Sequence, residues 1–140
     1  MSDNPSREEC IMAMIAHASV AIFGPGVLVG VFIWLTQKEK ASYASSHGLQ
    51  AALFQLLGMI LTMILWVVWG IFYALSLIPL VRNPEQFETA PPPMFWFWMI
   101  SWVIPLLFML AWMLYGLLGA LKTLRGRDFR YPLIGNFANK

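Results

Sequence analysis

The stretch LQAALFQLLGMILTMILWVVWGIFYALSLIPLV, residues 49–81, carries no charged side chain and decides the class of fold. As a single helix these 33 residues would extend about 50 Å, whereas the hydrocarbon core of a bilayer is about 30 Å thick. Two crossings would leave about 15 residues for each after a turn, which is fewer than the roughly 17 that a span needs. We therefore predict one long helix that crosses a membrane.

The charged residues fall into four short islands. Between these islands lie three apolar runs, of which residues 49–81 are part of one. Nine basic and seven acidic residues, in a chain of 140, lie within residues 1–9, 38–40, 82–88 and 122–140. The apolar runs predict three membrane spans, at about residues 11–35, 49–81 and 94–121. We therefore expect an all-α integral membrane protein that forms a single membrane-embedded domain over residues 1–140.

The basic side chains predict the direction of the chain across the membrane. With three crossings, the N-terminus and Arg82 share one side, while residues 38–40 and the tail at 122–140 share the other. Basic residues then number two on the first side and seven on the second. Because segments rich in Lys and Arg stay in the cytoplasm, we expect an outside N-terminus and a cytoplasmic C-terminus.

The tail at residues 122–140 mixes cations with aromatic and aliphatic side chains. We expect an amphipathic segment that lies along the inner surface of the membrane. Its basic side chains are predicted to contact the headgroups of anionic lipids: Lys122, Arg125, Arg127 and Arg130.

Small residues four positions apart let helix backbones approach closely, and each predicted span holds one such pair. The pairs are Gly26 with Gly30, Gly70 with Ala74, and Gly116 with Ala120. They fit helix contacts within one chain and contacts between two copies equally well. Pro25, which stands between two glycines, is expected to bend the first span.

Residues that could carry chemistry are scarce. The spans hold no Asp, Glu, Lys or Arg, and no metalloprotease, serine hydrolase or nucleotide-binding motif occurs. We expect His17 near the outer interface and His47 near the inner one, so that the two rings share no metal. Cys10 is the single cysteine and can form no intrachain disulfide. We predict no catalytic residue, no cofactor, no metal site and no nucleic-acid partner.

Two segments together resemble a known family. IAHASVAIFGPGVLVGVFIWLTQKEKASYASSHGLQAALFQ, residues 15–55, is followed after a long apolar stretch by GRDFRYPLIG, residues 126–135. This order resembles a bacterial and archaeal family of small multi-span membrane proteins of unknown function. That family is similar to the channel-like Tic translocon subunit of the chloroplast inner envelope. The resemblance implies a prokaryotic cytoplasmic membrane and singles out a set of motif residues: His17, His47, Gln50, Gln55, Tyr131 and Pro132.

Two functions remain open from the sequence. The first is a non-enzymatic accessory or structural subunit that packs against a larger membrane complex or against further copies of itself. The second, which the resemblance implies, is a component of a protein-translocation or solute-permeation pathway. A water-filled path needs a polar lining, and beyond the glutamines the spans offer only His17, Ser19, Thr62, Ser76 and Ser101. We therefore favour the first function.

Overall fold

A computed structural model describes residues 4–132 and 134–135, and that part of the chain is helical without strands. The elements are α1 (Arg7–Ala18), a 3₁₀ turn (Ser19–Ala21), α2 (Gly26–Gln37), α3 (Ser42–Ser76), α4 (Ile78–Arg82), α5 (Pro84–Thr89), α6 (Pro93–Ser101) and α7 (Val103–Leu124). The prediction of an all-α protein is confirmed. Part of the predicted tail, residue 133 and residues 136–140 with the cation of Lys140, lies outside the described residues.

Two helical segments are long and apolar enough to cross a membrane. They are Ser42–Arg82, with 41 residues, and Pro93–Leu124, with 32 residues. The first contains the predicted span at 49–81, and the second contains the one at 94–121 and is interrupted at Trp102, between α6 and α7. The count of three spans is not confirmed, because the run at 11–35 forms no helix of that length.

The prediction of one continuous helix over residues 11–35 is wrong. α1 ends at Ala18, α2 begins at Gly26, and Gly24 between them has a φ of +88°, a conformation that glycine adopts readily. The Ser19 hydroxyl donates to the carbonyl oxygens of Ala16 at 2.7 Å and Gly26 at 3.0 Å, which joins the end of α1 to the start of α2. Each helix has 12 residues, about 18 Å, and is too short to cross a bilayer alone.

The chain packs as two compact units, and the first comprises residues 1–59 and 111–140. In this unit α2 lies against α3, where a Cβ on Gly30 would stand 2.9 Å from both the Gly48 oxygen and the Ala52 nitrogen. α7 lies against the end of α1, where Gly119 faces His17, and against the 3₁₀ turn, where Gly116 faces Val20. Met12 and Val29 pack against the same buried cluster of Ala16, Ile33 and Ala51, so α1 and α2 form a hairpin.

The first residues of the chain lie beside the end of α7. A Cβ on Gly126 would stand 3.7 Å from both Pro5 Cγ and Cys10 Sγ. The Tyr43 hydroxyl, at the start of α3, donates to the Arg127 carbonyl at 3.1 Å and lies 3.4 Å from the Thr123 carbonyl. Segments this close cannot lie on opposite sides of a bilayer about 30 Å thick. The prediction of an outside N-terminus and a cytoplasmic tail is therefore not confirmed, because the residues before α1 and the end of α7 lie together in the first unit.

The described part of the tail does not lie along the membrane as an amphipathic strip. Phe129, Tyr131 and Ile134 are buried in a cluster with Val20 and Phe54. The apolar side chains of this segment therefore contact protein, whereas its charged side chains remain exposed.

The second compact unit comprises residues 60–110. The indole nitrogen of Trp69 donates to the Trp98 carbonyl at 3.2 Å and to the Ser101 hydroxyl at 3.1 Å, and Phe72 stacks on Trp98 with ring centroids 4.9 Å apart. These contacts pair α3 with α6 through aromatic side chains.

The three pairs of small residues differ in their surroundings. Gly26 faces the reversal between α1 and α2, and Gly30 faces α3. Gly116 and Ala120 both face the interior of the first unit. A Cβ on Gly70 would meet no atom of the described residues within 4 Å, and Ala74 is exposed. The pairs in α2 and α7 thus make contacts within this chain, while the pair in α3 is left uncovered by it.

Gly30→Ala is expected to lower the free energy of unfolding by about 1–3 kcal/mol, because the added methyl group meets backbone atoms that cannot move aside. Gly70→Ala is the matched control, since the same change in an uncovered part of a helix is neutral or stabilising by up to about 1 kcal/mol. Thermal unfolding in detergent micelles measures both. Equal stability of the two variants would contradict the packing of α2 on α3.

Candidate functional site

A cluster of polar side chains is buried in the first unit, where the last turn of α1, the start of α3 and the tail meet. His17 in the last turn of α1 is 0% exposed and His47 near the start of α3 is 1% exposed. The His17 Nε2 atom lies 3.2 Å from His47 Nδ1, and the His17 Nδ1 atom lies 2.9 Å from the Tyr131 hydroxyl. The expectation that the two histidines lie at opposite interfaces is wrong, because α1 is half of a hairpin rather than the start of a crossing.

Neighbouring residues leave room for these rings and hold them in place. Gly119 on α7 faces the cluster, where a Cβ would stand 3.3 Å from His17 Nδ1. The Tyr131 ring stacks on Phe54, with centroids 3.9 Å apart, and Phe54 also stacks on Trp112 at 4.4 Å. α3 and α7 thus fix the aromatic ring whose hydroxyl reaches α1.

One arrangement of protons satisfies the hydrogen bonds along the cluster. Tyr131 donates its hydroxyl proton to His17 Nδ1, and His17 Nε2–H donates to His47 Nδ1. His47 Nε2 then faces the Asp128 carboxylate at 3.7 Å, and Arg130 binds the other oxygen of that carboxylate at 2.8 Å. Burial, with the nearby Tyr115 hydroxyl, raises the pKa of Tyr131, so this residue stays protonated and able to donate.

The two motif glutamines have separate positions. The Gln55 amide donates to the Ala16 carbonyl at 3.2 Å and to the Ser19 hydroxyl at 3.0 Å, which ties α3 to the reversal between α1 and α2. Gln50 is 1% exposed, and its Oε1 atom has no hydrogen-bond partner among the described residues. Pro132 is exposed beside Tyr131.

Sequence reasoning missed two contributors to this region. Ser19 stands in the sequence analysis only as one of the few polar side chains of the spans, although it precedes the Gly24-Pro25 turn signal by only a few residues. Asp128 was read only as part of a charged tail, and nothing in the sequence places it beside His47.

The cluster joins segments rather than offering a reaction centre. Its polar atoms bond chiefly to one another, and it links α1, α3 and the tail. Among the residues that the structure describes, no group of three or more His, Cys, Asp or Glu side chains could hold a metal ion. The hydrogen bonds of this cluster lie inside a folded core, and they stabilise the position of the tail.

The basic side chains of the tail face away from this core. Lys122, Arg125, Arg127 and Arg130 are all exposed. The Lys122 ammonium lies 5.2 Å from the centroid of the Phe129 ring. These cations are therefore open to solvent or to lipid headgroups.

Tyr131→Phe is expected to destabilise the first unit by about 1–3 kcal/mol, because it leaves a buried histidine nitrogen without its donor. The tail should then detach more often, and trypsin should cleave faster after Arg127 and Arg130. Tyr115→Phe is the matched control, because Tyr115 packs edge-on against the same ring and is 36% exposed. Equal cleavage rates for both variants would contradict a role of the cluster in holding the tail.

Comparison with known proteins identifies one family. No curated protein and no solved structure matches the chain significantly. The comparisons do not support the predicted likeness to the Tic translocon subunit. They are consistent with the broader prediction of a family of small membrane proteins. The model of the magnetosome magnetite crystal formation protein family, MamF/MmsF, matches residues 8–138, and the chain therefore belongs to this family of magnetosome membrane proteins.

Proposed function

We propose that the chain is a non-enzymatic accessory subunit of the magnetosome membrane, which serves magnetite formation by packing against other membrane components. The observation that carries this proposal is the bare apolar surface of the two candidate spans. Only 33% of the most apolar window in Ser42–Arg82 and 22% of that in Pro93–Leu124 is buried. Surfaces of this kind require lipid or another protein as a neighbour.

The polar residues support a structural role over catalysis. An enzyme needs a nucleophile, acid or base that faces a substrate, whereas His17, His47 and Tyr131 are bonded to one another in the core. The family is one of crystal formation proteins and not a known enzyme family.

A permeation pathway is the weaker alternative. A water-filled path needs polar groups that face it. The hydroxyls of Ser76 and Ser101 instead donate to carbonyls of their own helices, those of Tyr73 at 2.6 Å and Trp98 at 3.0 Å. Bonds of this kind leave serine compatible with an apolar surface.

The contacts between the chain ends favour two crossings in place of three. If the α1–α2 hairpin enters the membrane without crossing it, both ends share one side with residues 38–40. Eight of the nine basic residues then lie on that side and Arg82 alone on the other. This distribution supports a cytoplasmic location for both ends, with residues 83–92 on the far side as part of the same proposal.

Reporter fusions at the N-terminus, at the C-terminus and after Asn83 test this arrangement. Reporters that are active only in the cytoplasm should work at both ends and fail in the loop. A reporter such as alkaline phosphatase, which is active only outside the cytoplasm, should give the opposite pattern. If the two ends respond differently, the number of crossings is odd and the arrangement proposed here is wrong.

The partners that fit these surfaces are anionic lipids and other membrane proteins. Each exposed cation of the set Lys122, Arg125, Arg127 and Arg130 can contribute about 1 kcal/mol of attraction to an anionic leaflet. The uncovered pair of Gly70 and Ala74 offers a place where a helix of a larger complex, or of a second copy, can approach closely.

Purification of the tagged chain from magnetosome membranes in mild detergent should recover a stoichiometric assembly larger than a monomer. Gly70→Ile should weaken that assembly, because the branched side chain keeps helices apart, and should alter the size of magnetite crystals seen by electron microscopy. Val68→Ile is the matched control in the same helix, at a side chain that is 46% exposed.

Two results would reverse the order of the candidate functions. One is recovery of a monomer alone from native membranes. The other is ion leakage through vesicles that contain only the purified chain, which would favour the permeation pathway.

A further inference from the structure

A cleft of about 510 Å³ lies where the first residues of the chain meet the end of α7. Residues from both segments line it, among them Asn4, Pro5, Arg7, Cys10, Arg125 and Gly126. Of these residues, only Arg125 is among those that the sequence analysis predicts to have a role, as a contact to lipid headgroups.

Two local features shape the walls of the cleft. The Ser6 hydroxyl accepts from the Glu9 backbone N–H at 3.2 Å and the Glu9 carboxylate accepts from the Ser6 N–H at 2.9 Å, which fixes the first turn of α1. At the other wall Gly126 has a φ of +68° and ends α7. The position of Gly126 therefore keeps open a space that a larger side chain at this residue would narrow.

The cleft concentrates positive charge. Arg7 and Cys10 are three residues apart and lie on one face of α1, while Glu8 and Glu9 project from other faces. In the described part of the chain, the ion pairs are those of Asp128 with His47 and with Arg130. The guanidinium groups of Arg7 and Arg125 thus line the cleft without a carboxylate partner among the described residues.

The location of the cleft indicates the kind of anion. The candidate span Pro93–Leu124 ends at this point, so the cleft lies at the level of lipid headgroups. Guanidinium groups bind phosphate oxygens in a bidentate manner, and the Asn4 amide adds a further donor. Pro5 and Leu124 supply apolar wall beside these donors.

We propose that this cleft binds the phosphate group of an anionic phospholipid, held between Arg7 and Arg125. Inorganic phosphate has the same recognition chemistry, but the apolar wall and the depth in the headgroup layer favour the lipid. The site does not depend on the accessory function proposed above, because lipid binding can be present whether or not the assembly forms.

Alkylation of Cys10 reports on the site, because this single cysteine lines the cleft and is 7% exposed. The full chain is placed in phosphatidylcholine nanodiscs with and without phosphatidylglycerol, and its reaction with a small maleimide is followed. Phosphatidylglycerol should slow alkylation severalfold. Millimolar inorganic phosphate, added to the phosphatidylcholine discs, should not.

Variants distinguish lipid binding in this cleft from general attraction of lipid to surface charge. Arg7→Gln with Arg125→Gln should reduce lipid occupancy on the order of tenfold and abolish the protection of Cys10. Lys40→Gln is the matched control, since Lys40 is an exposed cation in the turn before α3, is not among the lipid-contact residues named above and does not line the cleft; it should keep the protection. An unchanged unfolding temperature in detergent verifies that the variants fold.

Three results would overturn the proposal. Protection that persists in the double variant would show that the arginines do not hold the lipid. Equal loss in Lys40→Gln would assign the effect to surface charge. Equal protection by inorganic phosphate would assign the cleft to a free anion. Native mass spectrometry of phosphatidylglycerol retained by each variant gives a readout that does not depend on Cys10.

Discussion

The bonds that hold the reversal between α1 and α2 are the constraint on which the first unit depends. A helix that ends within an apolar region leaves backbone carbonyls without donors, and each such group costs several kcal/mol in hydrocarbon. The Ser19 hydroxyl and the Gln55 amide both donate to the Ala16 carbonyl, and the Gln55 amide also donates to the Ser19 hydroxyl. With that end satisfied, α1 can turn back on α2, and His17 comes within reach of His47.

Much of the helical content could be predicted, because it follows from chain length and hydropathy. The absence of charge over residues 49–81 requires a long helix in an apolar environment, and α3 provides it. Hydropathy does not distinguish a 25-residue crossing from two short helices joined by a turn, so the hairpin was missed. The sequence signals for the hairpin are local. Gly24 and Pro25 interrupt the apolar run, and Ser19 is a polar residue that can bond the end of a helix.

The sequence could predict some residues of the buried cluster but not the contacts among them. The resemblance singled out His17, His47 and Tyr131 as residues, yet their contacts join positions 30 and 114 residues apart. Such contacts depend on how helices pack, which no local pattern records. The tail illustrates the same limit, since Phe129 and Tyr131 fit a membrane-surface segment as well as a core, and stacking on Phe54 decides between them. The structure thus separates a polar core from apolar helix surfaces that the chain leaves bare.

The distance along the chain between His17 and Tyr131 has a consequence for biogenesis. The hairpin is made before its hydroxyl partner, which follows His17 by 114 residues. Until then His17 lacks the Tyr131 hydroxyl and the hairpin lacks the packing of α7, so the first unit completes its packing only after the segment around Tyr131 has been made. A chain truncated before Tyr131 would keep its apolar helices but lose the Tyr131–His17 hydrogen bond and the stack on Phe54, so the segment around Tyr131 is what completes the first unit.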